Sequence, residues 1–196
     1  MPFYATYTGH INNGVFTTWD DCKKEIHKKP KYKKFATLKE AEHFHKYGPL
    51  HSDEVFDICV YTDGSCASGN GGYGIYFGEG DKRNLSHYIG KTTNNIAELS
   101  AVIHAIQMMS TETQTVGIYT DSQYSILCCT TYGEKCNKKG WSDDIPNQEL
   151  VKLGYTLLQK HPHIKLVHVT AHTLKDDQHS VGNRQADLYA KRSYGA

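Results

Sequence analysis

The sequence predicts an α/β domain on a five-stranded mixed sheet, preceded by a small α+β domain. Three observations predict it. Two short apolar strands, Cys59-Val60-Tyr61-Thr62-Asp63 and Gly117-Ile118-Tyr119-Thr120-Asp121, end alike, with a helical pattern between them. That is the signature of a parallel pair joined by a crossover helix. Between the first of them and that helix, short strands alternate with Gly-rich turns, as in an antiparallel meander. The first 46 residues form a separate strand–strand–helix–strand–helix set closed by Gly48-Pro49.

In the N-terminal module, residues 3–8 alternate as a strand. Asn12-Asn13-Gly14 signals a turn, and Val15 to Thr18 reads as the return strand of a hairpin. Thr18 or Asp20 caps a helix running to about Lys28, which Pro30 stops. Residues 32–36 make a third strand, and Thr37-Leu38-Lys39-Glu40 has capping-box spacing for a helix over 39–46. The expected core is Phe16, Ile26, Phe35, Ala41 and Phe44. The domain limits follow as 1–46, a ten-residue linker 47–56, and 57–196. A linker this short keeps the two modules on nearby stretches of one ligand.

In the larger module the strand from Ile58 stops at Asp63, and 67–72 is a turn. Residues 73–77 and 85–90 complete the meander. Asn94 opens a helix to about 109, with Ile96, Leu99, Val102, Ile103 and Ile106 on the sheet-facing stripe and Glu98 at its edge. Strand four is 115–120, and 122–130 reads as helix. Residues 145–160 make a helix with Leu150, Leu153, Leu157 and Leu158 inward, and 164–170 is strand five. The last helix runs 183–193, so Asp187 falls in its first turn or two behind a flexible entry.

Composition narrows the class. Of 196 residues 38% are hydrophobic, enough for a real core, and no run suits a membrane span. The start, Met1-Pro2-Phe3-Tyr4-Ala5, resembles neither a signal nor a transit peptide, and six cysteines without a CxxC pair fit reduced thiols, so an intracellular setting is expected. Charge is uneven. Residues 1–50 carry nine lysines against five acids, an excess of +4, and the remainder 13 basic against 16 acidic residues, a deficit of −3. A basic module beside an acidic one fits a nucleic-acid tether joined to a metal site.

Asp63, Glu98, Asp121 and Asp187 are the chemical candidates. Like charges ~4 Å apart in a partly buried site cost on the order of 4 kcal/mol per pair, which divalent cations remove. An oxygen-only ligand set suits Mg²⁺ or Mn²⁺, and two such ions clamp the attacking and leaving oxygens of a phosphodiester.

Tyr61-Thr-Asp-Gly-Ser65, Thr93-Asn-Asn-Ile-Ala-Glu98, Tyr119-Thr-Asp-Ser122 and Gly182-Asn-Arg-Gln-Ala-Asp187 occur in this order. The set resembles the ribonuclease H domain, over about residues 57–195. The resemblance implies helices on both faces of the sheet and cleavage of the RNA strand of RNA–DNA hybrids with two Mg²⁺ ions, Mn²⁺ substituting. Water attacks and leaves 3′-hydroxyl and 5′-phosphate ends. Asp63 would bridge the ions, with Glu98 and Asp121 flanking one and Asp187 the other. His172 matches the family's loop histidine, and His179 is the alternative, because Lys175 to His179 looks like an insertion in that loop. Asn94, Asn95 and Gln123 match groups that read the 2′-hydroxyl. Lys91, Thr93 and Asn147 match a DNA-phosphate pocket in which Lys91 replaces an arginine and loses its bidentate fork. Lys135 to Trp141 resembles a basic DNA-contacting protrusion, with Tyr132 and Cys136 where relatives carry Trp.

Phe3-Tyr4-Ala5, Gly14-Val15-Phe16, Thr18-Trp19, Cys22 and Lys33-Lys34-Phe35-Ala36-Thr37 resemble the small hybrid-binding domain ahead of many type 1 ribonuclease H enzymes, and viroplasmin proteins. The match implies that Trp19, Tyr32, Lys33 and Lys34 grip the DNA strand, and aromatic stacking beside lysine is sound physics for that task. The expected partner is an RNA–DNA hybrid, with double-stranded RNA as a second ligand of this module, no membrane, and a monomeric state. Two other readings are a noncatalytic hybrid or double-stranded-RNA binder, against which all four acids speak, and an integrase- or resolvase-type nuclease, which the N-terminal module disfavours.

Overall fold

Phe3–Tyr7 (β1) is the central strand of a three-stranded antiparallel sheet in the computed structural model of the chain, between Val15–Phe16 (β2) and Lys31–Phe35 (β3). The structure describes residues 2–7, 14–24, 31–35, 38, 41–42, 55–142, 144–171 and 177–195, with backbone alone at Tyr7, Lys31 and Lys33. The chain divides into two units, Met1–Asp53 and Glu54–Ala196.

In the N-terminal unit, Trp19–Lys24 is helix α1. Thr18 rather than Asp20 is its cap: the Thr18 hydroxyl accepts from the Asp21 amide at 3.3 Å and donates to the Asp21 carboxylate at 2.6 Å. Such a cap stabilises a helix by ~1 kcal/mol. Ala5, Phe35 and Ala41 form the core, with Phe3 and Val15 packed on it, and Cys22 is also buried. Phe16 is half-buried. Ile26 and Phe44, the turn at Asn12-Asn13, most of the expected 39–46 helix and most of the linker lie outside the described residues.

The larger unit orders its five strands β6-β5-β4-β7-β8. These are Ile58–Ala67 (β4), Asn70–Tyr76 (β5), Leu85–Lys91 (β6), Val116–Thr120 (β7) and Ile164–His168 (β8). β4, β5 and β6 are antiparallel, while β7 and β8 run parallel to β4. The helices are Asn94–Met108 (α2), Gln123–Cys129 (α3), Thr131–Lys138 (α4), Gln148–Lys160 (α5) and Gln178–Arg192 (α6). Val60, Ile75, Leu99, Val102, Ile106, Val116 and Ile118 make the aliphatic core between the sheet and α2. Phe56, Tyr61, Tyr119, Val167, Val169 and Ala186 make a second, more aromatic core beneath α6. Among the described residues no helix is long and apolar enough to cross a membrane.

Four sequence expectations are corrected. β4 does not stop at Asp63 but continues to Ala67, because β5 pairs with it as far as Ala67↔Asn70. The last helix begins at Gln178, not Asn183, since the Asp177 carboxylate caps it by accepting from the His179 and Ser180 amides at 3.1 and 3.0 Å. The helix expected over 145–160 begins at Gln148 after Asn147, whose φ of 56° is left-handed. Leu153 is 41% exposed, and the helix turns Val151 and Gly154 inward instead.

Candidate active site

Asp63 shares a face of β4 with Tyr61 and lies one residue past Thr62↔Thr120, where parallel pairing with β7 ends. Asp121 follows β7 directly, so the two carboxylates leave adjacent strands side by side. Glu98 comes in from the first turns of α2, which begins at the Thr93 cap, where the hydroxyl accepts from the Ile96 amide at 3.3 Å. That helix approaches β4 closely only because residue 64 is glycine: a Cβ there would stand 2.1 Å from the Glu98 nitrogen. On the opposite face Gly74 does the same for α6, since its Cβ would meet the Ala186 carbonyl oxygen at 2.2 Å.

One carboxylate oxygen each from Asp63, Glu98 and Asp121 lies within 4.8 Å of the others. Asp63 is buried, and its pKa is pushed up to about 9, first by that burial and then by the charges of Asp121, Asp187 and Glu98. Burial also raises Glu98, against hydrogen bonds from Ser122 and from the Asn94 amide, which donates at 2.7 Å. A buried like-charge cluster of this kind holds a proton unless a cation takes its place. All donors are carboxylate oxygens, which fits hard divalent ions.

Asp187 lies midway along α6, not in its first turns, with helix from Gln178 onward preceding it. It stands near Asp63, its charge adding to the upward push on that carboxyl, and accepts from Lys191 Nζ at 2.7 Å. One turn earlier, buried Asn183 donates to Asp121 at 3.0 Å, while its own Oδ1 has no protein partner. Sequence reading missed Asn183 and Lys191. Their four-residue spacing around Asp187 places all three on one helix face, a signal already present in a helix over 183–193.

His179 is corrected as a loop histidine. It belongs to α6, stacks on Tyr119 with ring centres 4.2 Å apart, and shares a hydrogen bond with the Tyr61 hydroxyl at 3.2 Å. His172 lies outside the described residues.

Among the substrate candidates, Lys91 and Asn95 are exposed, and the Thr93 hydroxyl is engaged in the α2 cap. Asn147 donates to the Tyr124 hydroxyl at 2.9 Å. Cys136 is buried and Tyr132 packs on the aliphatic core. In the N-terminal unit Trp19 and Tyr32 form a tilted pair 5.4 Å apart, Tyr4 adjoins Trp19, and Lys34 Nζ lies 5.9 Å from the Tyr4 ring centre.

A sequence profile of RNase H matches residues 56–194. The chain belongs to the RNase H family. A second profile, of the ribonuclease H1 N-terminal domain, matches residues 2–45. Human ribonuclease H1 is 26% identical over 96% of this chain and 88% of its own length. The ribonuclease H of Schizosaccharomyces pombe is 30% identical over 96% of this chain and 71% of its own. That of Orientia tsutsugamushi is 34% identical over 68% and 79%. The fold superposes on LC9-RNase H1 with a TM-score of 0.58 at 25% identity, covering 70% of this chain and 72% of that one. The foamy virus protease-reverse transcriptase gives 0.62 at 23% identity, and this chain spans 22% of its length. This RNase H is therefore a hydrolase, a metal-dependent endoribonuclease acting on RNA–DNA hybrids.

Proposed function

We propose that this RNase H uses two Mg²⁺ ions, with Mn²⁺ as a substitute, which Asp63, Glu98, Asp121 and Asp187 would hold. The observation that supports this is the trio of carboxylate oxygens within 4.8 Å around a buried Asp63. When bound, such ions neutralise the developing charge on the phosphodiester and activate water. The protein's own groups do the rest. Asn183 orients Asp121 through its amide. Asn94 holds Glu98 and, with Asn95, faces the 2′-hydroxyl that separates RNA from DNA. Lys91, Thr93 and Asn147 take a DNA phosphate, and His172 moves a proton or helps product leave. The N-terminal unit holds the DNA strand through Trp19, Tyr32, Lys33 and Lys34. The enzyme acts as an intracellular monomer.

The test is a cleavage gel with an RNA–DNA hybrid, an RNA duplex and a DNA duplex, each with Mg²⁺, with Mn²⁺ and with chelator. Cleavage of the hybrid's RNA strand alone, in either metal, is expected. Cutting of the DNA duplex, or cutting that survives chelation, would overturn the proposal. Binding without cutting would favour a hybrid-binding protein.

A further inference from the structure

Lys191 is not a loose surface lysine. Its helix, α6, is tied to β4 near its end, where the Tyr194 hydroxyl meets the Ser65 hydroxyl at 2.6 Å, two residues past Asp63. The Ser193 hydroxyl donates to the Ala190 carbonyl at 2.6 Å and tightens the same turn. From that anchored backbone the ammonium reaches back one turn to Asp187 at 2.7 Å, with side chains 44% and 21% exposed. Asp187 thus faces the opposite charge of the Lys191 ammonium on one side and the acidic cluster on the other. Asp63, Glu98 and Asp121 gather within 4.8 Å, whereas Asp187, the acid paired with Lys191, is not part of that group.

We propose that Lys191 is a positioning residue: its ammonium is the counter-ion of Asp187 until a divalent cation displaces it, so that Lys191 sets the affinity of the second cation. This rests on the reading that the four acids hold divalent ions. The two cations compete for the same Asp187 oxygen. A monovalent ammonium 2.7 Å away offsets one charge of a crowded acidic site. The metal-free protein gains stability from this, and the second ion binds less tightly because of it. Geometry also ranks substitutions. Methionine keeps the stem and removes the competitor, whereas arginine offers a two-pronged donor that holds a carboxylate harder.

The experiment is Mn²⁺ binding to the full-length protein at low ionic strength without nucleic acid, by calorimetry and by the electron paramagnetic resonance of free Mn²⁺. Thermal midpoints with and without Mn²⁺ accompany it. Lys191→Met should tighten the weaker site about fivefold, the scale of a partly exposed ion pair. It should also lower the metal-free midpoint and enlarge the gain on adding Mn²⁺. Lys191→Arg should weaken the same site. If Lys191→Met does not fold without metal, the Lys191→Arg titration carries the test alone. Unchanged Mn²⁺ affinity in both variants, with midpoints lowered equally with and without metal, would mean an ordinary helix ion pair and sink the proposal. Reduced cleavage at unchanged Mn²⁺ affinity would also sink it, in favour of direct contact with substrate. A parent protein that binds no Mn²⁺ would overturn the metal reading itself, and with it this inference.

Discussion

In the N-terminal unit Trp19 and Tyr32 are 39% and 53% exposed, whereas in the larger unit Asp63 is 8% exposed. The first unit leaves these aromatics outside its small core: Ala5, Phe35 and Ala41 pack without them, so under the proposed function it would recognise with side chains its fold does not need. The second encloses an acid in its sheet and holds like charges together, and under the proposed function its chemistry would rest on that group. Recognition of this kind adds little to the cost of folding. A buried acidic cluster subtracts from stability until something positive arrives.

The comparison breaks hardest at Asp63. Asp63→Asn should lower hybrid cleavage at least about 10³-fold, the loss of ~4 kcal/mol of transition-state stabilisation. Hybrid binding at fixed Mg²⁺ should remain measurable. Single-turnover cleavage and a binding titration on the same preparation decide it, and a rate within twofold of the parent would remove Asp63 from the site.

Next in size is the dependence of stability on pH. Asp63 keeps its proton in the fold up to about 9, against 3.8 for an ordinary aspartate. Its folded pKa is raised, so the metal-free protein is most favoured below the ordinary value and loses that advantage as pH climbs toward the folded one. Urea midpoints measured in chelator should therefore fall between pH 5 and 9, more steeply in the parent than in Asp63→Asn. Mg²⁺ should flatten the slope, and its binding should release protons to buffer. Parallel slopes in parent and variant would contradict the assignment.

The smallest effect belongs to the exposed unit. Trp19→Ala with Lys33→Ala and Lys34→Ala should leave cleavage of short hybrids unchanged and reduce the salt dependence of long-hybrid binding by about 2, one phosphate contact per lysine. An unchanged slope would favour a protein-interaction role for this unit.

Much of this was legible in the residues. The paired Tyr-Thr-Asp strand ends announced two adjacent carboxylates because β alternation and a crossover helix leave few arrangements. The meander and α2 followed from turn chemistry and apolar spacing. The missed parts depended on distant partners. That β4 runs beyond Asp63 depends on the start of β5, where Asn70, Gly71 and Gly72 carry turn chemistry and no apolar signal of a strand. The start of α6 was hidden because Lys175 to His179 is polar, and only the Asp177 cap marks it. His179 looked like a loop acid–base group, yet its ring is packed flat against Tyr119. Leu153 illustrates a register error: in a helix that also buries Val151 and Gly154, not every leucine can face inward.

The continuation of β4 past Asp63 has a consequence for how the enzyme fails. A carboxylate at a frayed strand end would wander whenever the last pairs opened. Asp63 instead lies inside a ten-residue strand, with β5 alongside it through Ala67 and β7 alongside as far as Thr62. Amide protons in such a place exchange with solvent mainly through cooperative opening of the whole unit. Heat should therefore not detune this site by degrees: cleavage rate per folded molecule, measured against the melting curve, should fall only with the melting transition itself.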